Sequence, residues 1–394
     1  MPITTATDTS TQRLTSRRAA PVLVSVVIPC LNEAINIESC VAQALRTMAS
    51  FEIPGEVIVA DNGSSDGSAE LAELAGARVV HEPRRGYGSA YLAGFAAARG
   101  AYIVMADADR TYDFGEIPRF VAELDAGADM VVGDRMRNIR PGAMPWHHRH
   151  IGNPLLSGFL NLLFHADVSD AHCGMRAFRR DRLGLLALRT TGMEFASEMI
   201  VRAAKTKLVV RELPIEYHPR GGESKLSSFR DGWRHVRFLL LHAPNHLFIL
   251  PGALMSLLGA LISITVLAHL DALGRSWDLH TLIAGSLLVI VGAQVVSLGL
   301  CARAYATYFM GEPDRWFDRA REHLRLEHGL MLGGGVALLG LAMIVAIVLD
   351  WIERGFGTLA AERIAIAAAT LLVLGIQIVF SSFLLSILGL RRDR

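Results

Sequence analysis

The feature that most limits the fold of this chain is a set of four long apolar runs in its second half, roughly 247–270, 281–302, 329–349 and 364–390. Each is long enough to cross a hydrocarbon layer of about 30 Å as a helix. Flanking charge orients them. The first is entered past Arg230, Arg234 and Arg237, the loop between the second and third carries Arg315, Arg319, Arg321 and Arg325, and the chain closes on Arg391, Arg392, Asp393 and Arg394. The other two loops offset their cations with acids: Arg275 with Asp271 and Asp278, then Arg354 and Arg363 with Asp350, Glu353 and Glu362. The positive-inside rule therefore predicts an integral protein of the cytoplasmic membrane, with its N-terminal half and its C-terminus on the cytoplasmic side. Two stretches beside the spans, Phe229–His242 and Pro313–Leu326, pair Trp with Arg at helical spacing and are expected to lie at headgroup level.

The first half has a different texture. Residues 1–20 are rich in Thr, Ser and Arg with no apolar core, which reads as a disordered leader and not a signal peptide. From Val22 onward, short β-branched runs alternate with helical spacing: strands at 22–28, 56–60, 78–81, 102–106 and 130–133, helices at 33–48, 66 onward, 88–98 and 116–124. Asn32 and Asp66 stand where helix caps are expected. A β-α-β-α order predicts a Rossmann-like α/β domain with a mostly parallel sheet, whose ligands bind at the carboxyl ends of the strands. Asp61, Asp107 and Asp134 all fall at such predicted ends. A formal net charge of only +1 gives no reason to expect a nucleic-acid partner. The cysteines, Cys30, Cys40, Cys173 and Cys301, form no CxxC pair, which argues against zinc or a disulfide framework and fits a reducing compartment.

The strongest chemical signal is Asp107-Ala108-Asp109. Two carboxylates two residues apart at a strand end can share a divalent cation, Mg2+ or Mn2+, with the oxygens of a diphosphate. Around it stands an ordered set: Pro29, Asn32 and Glu33 after the first strand, Asp61-Asn62-Gly63-Ser64-Ser65-Asp66-Gly67 after the second, and Arg84-Arg85-Gly86-Tyr87-Gly88 after the third. Taken alone, Asp61–Gly67 reads as a plain Asp/Asn/Gly turn leading into a capped helix.

In this order the motifs resemble family 2 glycosyltransferases of GT-A fold, and more narrowly the dolichol-phosphate mannose synthase and polyprenyl-phosphate glucosyltransferase branch; the resemblance runs from about Val22 to Leu240. It implies that Pro29 and Glu33 line a nucleotide pocket, that Asp61 contacts the base, and that Asp107 and Asp109 hold metal and diphosphate. Asn32, Arg84, Gly86 and Ala108 complete the expected nucleotide-sugar site. Gly133-Asp134-Arg135, the segment Asp170–Phe178 and Arg220-Gly221-Gly222-Glu223-Ser224-Lys225 resemble the family's acceptor-side segments. An acceptor phosphate approaching a diphosphate must have its repulsion screened, and arginine forks do this bidentately. Arg135 and Arg176 are expected on the lipid phosphate, with Arg220 and Lys225 serving either phosphate group.

The expected domains are the leader 1–20, a GT-A domain 21–225, a juxtamembrane amphipathic helix 226–246, and a four-helix transmembrane domain 247–394 with an interfacial helix near 313–326. The expected reaction is an inverting, metal-dependent transfer of a hexose from a nucleotide-diphosphate sugar to polyprenyl phosphate, with UDP-glucose favoured and GDP-mannose next. A phosphate acceptor has lost most of its protons near pH 7, its second pKa being about 6, so it needs no base. If a base exists, Asp170 or the Glu194–Glu198 segment would supply it. Transfer to a lipid hydroxyl would make that base essential, and a non-catalytic membrane scaffold or transporter is the alternative outside enzymes. A processive polysaccharide synthase is disfavoured by the absence of a QxxRW segment. Trp146, His147, His148 and His150 match no common zinc spacing and suggest a loop near the bilayer that gates acceptor entry. A homo-oligomer is compatible with the sequence, which does not fix the oligomeric state.

Overall fold

The computed structural model describes residues 22–222, 228–269, 278–309, 326–356 and 361–389. They divide into two compact units, with the boundary between Phe238 and Leu239.

In the first unit, β1 (Val24–Cys30), β2 (Gly55–Asp61), β3 (Arg78–His81), β4 (Tyr102–Met105), β5 (Met130–Ile139), β6 (Arg176–Arg179) and β7 (Val210–Tyr217) form one sheet, ordered β3-β2-β1-β4-β6-β5-β7. Pairings are parallel except where β6 runs antiparallel between β4 and β5. The β-branched runs of β1, β2 and β4 lose all contact with water: Val26, Val27, Ile28, Ile58, Val59, Ile103 and Val104 are fully buried. Such a side chain contributes about 1.5–3 kcal/mol when buried. Helices α1 (Ile37–Ser50), α2 (Ser68–Leu74), α3 (Tyr87–Ala97) and α4 (Ile117–Asp125) connect the strands. In α1 the buried residues Ile37, Val41, Ala44 and Met48 recur at the spacing the sequence predicts. Register sets the strand ends level, with Cys30 beside Asp61 and Asp61 beside His81. The loops that leave β1, β2 and β3 therefore share one edge. Helices α5 (Asn153–Phe164), α6 (Leu183–Leu186), α7 (Phe195–Lys205) and α8 (Ser228–Leu241) follow.

Three local expectations are corrected. Helix α1 begins at Ile37, so Asn32 does not cap it; Asn32 sits in the loop at φ 53° and bonds to the neighbouring loop instead. Helix α2 begins at Ser68, not at Asp66, whose carboxylate accepts from both Ser68 N and Ala34 N. Strand β5 runs on to Ile139, so Asp134 lies inside it, at an irregularity in its pairing with β7. There it pairs with Arg137 instead of facing a ligand edge.

The second unit contains four helices long and apolar enough to cross a membrane: Asn245–Leu267, which includes α9 (Leu250–Leu267), then α10 (Leu279–Phe309), α11 (Leu326–Glu353) and α12 (Glu362–Gly389). They pack through small residues, as helices must when lipid removes the hydrophobic drive between them. A Cβ on Gly259 of α9 would lie 2.5 Å from Gly285 O of α10, and one on Gly340 of α11 would lie 2.7 Å from Ala368 O of α12. Helix α8 is buried along one side only. His235, Phe238 and Leu239 are buried, whereas Trp233 is exposed. The stretch expected at 313–326 lies, apart from its last residue, outside the described residues.

Candidate active site

The loops after β1 and β2 are laced together by side chains. Asn32 N donates to Ser64 Oγ (2.9 Å), Ser65 N to Asn32 Oδ1 (2.9 Å), Glu33 N to Ser68 Oγ (2.8 Å) and Ala34 N to Asp66 Oδ2 (3.0 Å). The loop carrying Asn32 and Glu33 thus has its shape set by residues 64–68, while Pro29, expected after the first strand, lies within β1 opposite Ala60. At the end of β2, Asp61 accepts from Ser64 N (3.1 Å) and Gly63 N (3.2 Å), with the His81 ring at 3.3 Å. Burial opposes its ionisation, but the bonds from Ser64, His81 and Gly63 outweigh that and hold its carboxyl below the usual range. Asp61 is therefore a carboxylate acceptor on this edge.

Asn62, which the sequence reading passed over as a turn residue, organises the next loop. Its Nδ2 donates to Glu82 O (2.9 Å) and Arg84 O (2.8 Å), and its Oδ1 accepts from Gly86 N (2.7 Å). An amide is the one neutral side chain that donates and accepts in this way. Only its position directly after the Asp of the strand end could have signalled it. Arg84 folds back onto Glu82 (3.0 Å). Gly86 adopts φ 146°, and a Cβ there would lie 2.2 Å from Thr191 O. Its lack of a side chain serves packing against the 189–191 loop. That loop is held in turn by Glu198, whose carboxylate accepts from Arg189 N, Thr190 N and Thr190 Oγ1. Glu198 is thereby committed to structure and is not a free base.

The Asp pair follows β4. Asp107 Oδ1 accepts from the phenols of Tyr87 (3.0 Å) and Tyr91 (3.3 Å), both neutral donors because burial drives their pKa values well up. Burial and the Asp109 charge push the Asp107 carboxyl up to about 6. Asp109 is buried; its Oδ1 accepts from Thr111 N (3.1 Å), and its Oδ2 forms an ion pair with Arg220. Gly221 N donates to Asp109 O (2.9 Å) and the Asn36 amide donates to Gly221 O, so the Arg220 segment is bound to both the Asp pair and the end of the first loop.

These residues fit a divalent cation that also takes oxygens from a ligand. Two crowded carboxylates form a hard-oxygen donor set, and burial first and the Asp109 charge second disfavour the Asp107 anion, which a cation would stabilise. Among the described residues no group of three or more His, Cys, Asp or Glu could hold an ion by itself. Phosphate and water oxygens would have to complete the shell.

The acceptor-side residues divide. Arg135 is buried and grips Asp170 in a fork, Nε to Oδ2 at 2.6 Å and Nη2 to Oδ1 at 2.8 Å, beneath the Tyr217 ring. Both Asp170 oxygens are thus engaged, which corrects its expected place as a base. Arg176 is corrected as well. It is fully buried, and its Nε, Nη1 and Nη2 donate to the carbonyls of Cys173, Ala196 and Ala171. It braces the 171–176 loop and offers no fork to a phosphate. Of this set, Arg220 is the cation that stands at the Asp pair with part of its side chain exposed. Lys225 lies outside the described residues. Tyr112, missed in the sequence, connects the halves: its hydroxyl accepts from Gly174 N (2.6 Å) and lies 3.4 Å from Arg135 Nη1.

With that arrangement in place, similarity to known proteins becomes informative. Residues 25–184 match the model of glycosyl transferase family 2, and residues 300–389 match that of the glycosyltransferase family 2 C-terminal transmembrane region. The low-salt glycan biosynthesis hexosyltransferase Agl6 of Haloferax volcanii is 43% identical over 372 residues, covering 94% of this chain and 90% of that protein. The chain belongs to glycosyl transferase family 2. As a family 2 glycosyltransferase with four apolar helices, it is an integral membrane protein. Also similar is the dolichyl-phosphate hexose transferase of Haloferax volcanii, 35% identical over 212 residues, which are 53% of this chain and 89% of that protein. Among solved structures, glucosyl-3-phosphoglycerate synthase from Mycobacterium tuberculosis, in complex with Mn2+, UDP and glucosyl-3-phosphoglycerate, is 23% identical with a TM-score of 0.45, covering 56% of this chain and 80% of that one.

Proposed function

We propose that this family 2 glycosyltransferase moves a hexose from a nucleotide-diphosphate sugar, UDP-glucose before GDP-mannose, to a polyprenyl phosphate at the cytoplasmic face of the membrane. The observation that carries the reading is the crowded pair Asp107 and Asp109 with Arg220 on it, at the ligand edge of a sheet in a chain with four spanning helices. A similar protein is named for dolichyl phosphate, which supports a lipid-phosphate acceptor.

In this mechanism Pro29, Asn32, Glu33 and Asp61 shape the nucleotide pocket, and the Asp61 carboxylate accepts an N–H of the base. Asp107 and Asp109 would hold Mg2+ or Mn2+, which when bound would offset charge on the departing diphosphate. Arg220 leaves Asp109 as ligand arrives and turns to phosphate oxygens, whether of the donor or the acceptor. Arg135, locked to Asp170, is neutralised by it and holds Tyr112 and Tyr217 in place. A phosphate acceptor arrives already ionised, so the engagement of Asp170 and Glu198 is no obstacle; a lipid hydroxyl would need the base that neither supplies.

The test is membranes containing the protein, polyprenyl phosphate and a panel of labelled nucleotide sugars, followby chromatography of the lipid product. We expect a hexosyl-phosphoryl lipid from one donor, and loss of at least about a hundredfold in turnover for Asp107→Asn or Asp109→Asn with the fold retained. Near-normal turnover under chelation would refute the metal role. Transfer to a lipid alcohol but not to a lipid phosphate would refute the acceptor.

A further inference from the structure

Helix α5 is apolar on both sides, yet only one side is packed. Ser157, Leu160 and Leu163 are buried, and the Ser157 hydroxyl accepts from Ala171 N of the acceptor-side loop. On the other side Leu155, Gly158 and Leu162 form one exposed stripe, which Ile151, in the helical turn just before α5, continues at the same spacing. Ile151 is 52%, Leu155 68% and Leu162 65% exposed, and Trp146, in the turn before the helix, is 68% exposed. A surface helix of a water-soluble domain carries polar residues there.

The segment that carries the stripe is itself free of acids, the next being the exposed Asp167. From Met136 to Ala166 the sequence has no Asp or Glu, but it has Arg137, Arg140, Arg149 and four histidines, His147, His148, His150 and His165. Arg137 and Arg140 are paired with Asp134 and Glu216, whereas Arg149 is exposed beside exposed His147 and His150. Apolar side chains, a Trp and an exposed arginine on one helical segment are what a headgroup layer with anionic lipids accepts. The same chain enters its first span at Asn245, so the first unit is tethered to a bilayer by a few residues and needs little intrinsic affinity to stay on it.

We infer that the Trp146 turn and the exposed stripe of α5 form a membrane-binding surface, with Ile151, Leu155 and Leu162 entering the acyl boundary and Arg149 on anionic headgroups. This stands on the exposed stripe and its charge, and does not require the acceptor to be a polyprenyl phosphate. Its consequence for the active site is direct: Ser157 holds Ala171, so the same helix positions the loop that Arg176 braces.

The experiment uses the full chain in nanodiscs of phosphatidylcholine and phosphatidylglycerol, with Cys301→Ser to remove the cysteine that is not buried. Leu155→Cys or Leu162→Cys carries a nitrobenzoxadiazole dye, and Glu73→Cys on exposed α2 serves as the aqueous control. We expect doxyl-labelled lipid to quench the dye at 155 and 162 at least about twofold more than at 73, with iodide showing the reverse order. Iodide quenching at 155 and 162 equal to that at 73 would overturn the inference. Shielding from iodide without doxyl quenching would also overturn it, by assigning the stripe to protein, such as a second copy. Because the substituted positions are exposed, neither variant disturbs the packed core.

Discussion

Replacing Asp170 with Asn separates a structural acid from a catalytic one. The Arg135–Asp170 pair is bidentate, at 2.6 and 2.8 Å, and both side chains are almost wholly buried. Removing one partner of such a pair leaves a desolvated charge behind and typically costs about 3–5 kcal/mol. A unit of this size shifts its midpoint by about 2–4 °C per kcal/mol, so Asp170→Asn is expected to lower the thermal midpoint by roughly 6–20 °C. The readout is a thermal shift of the full chain in detergent, taken together with turnover at a temperature where the variant is folded. There Asp170→Asn should keep the wild-type pH profile. The double variant Arg135→Met/Asp170→Asn should be more stable than the sum of the single variants, by about 1–3 kcal/mol in a double-mutant cycle. An unchanged midpoint, together with a lost acidic limb in the pH–rate profile, would show that Asp170 is a free base and that the packing argument is wrong.

Burial holds His235 down to about 4 and His172 well below its usual range, with Ser197 hydrogen-bonded between them. Both have folded pKa values below the unfolded value of about 6.5, so the unfolded chain binds protons first as pH falls. Stability is full above about 6.5 and is lost below it, by roughly 3 kcal/mol for His235 down to pH 4; denaturation midpoints at pH 7 and 5 check this, and His235→Gln should flatten the difference. Gly86→Ala puts a methyl group 2.2 Å from Thr191 O in a backbone conformation that L residues rarely adopt; a loss of at least about 2 kcal/mol is expected, read by thermal shift. Gly259→Leu would force α9 away from Gly285 O of α10, and the yield of folded protein in detergent should collapse, whereas Gly334→Leu, with open space at its Cβ, should not change it.

Strand β3 at Arg78–His81, the burial stripe of α1 and the four spans were legible in the sequence because each depends on local periodicity or run length. So was the position of Asp107 and Asp109, which follow directly on the apolar run of β4. The end of β5 was not legible. Asp134 looks terminal in the chain, and only pairing with β7 carries the strand on to Ile139. The partners of Arg135 and Arg176 were not legible either. An arginine reads the same in sequence whether its guanidinium faces a ligand, a buried carboxylate 35 residues away or three loop carbonyls. The apolar runs of this chain determined that four helices of its second half would sit in lipid, and the β-branched runs of its first half placed Asp61 and Asp107 at strand ends. Which cations remain available beside those acids was decided in three dimensions, because a donor cut off from water is costly without a protein acceptor, and the acceptors within reach are set by packing across strands remote in sequence.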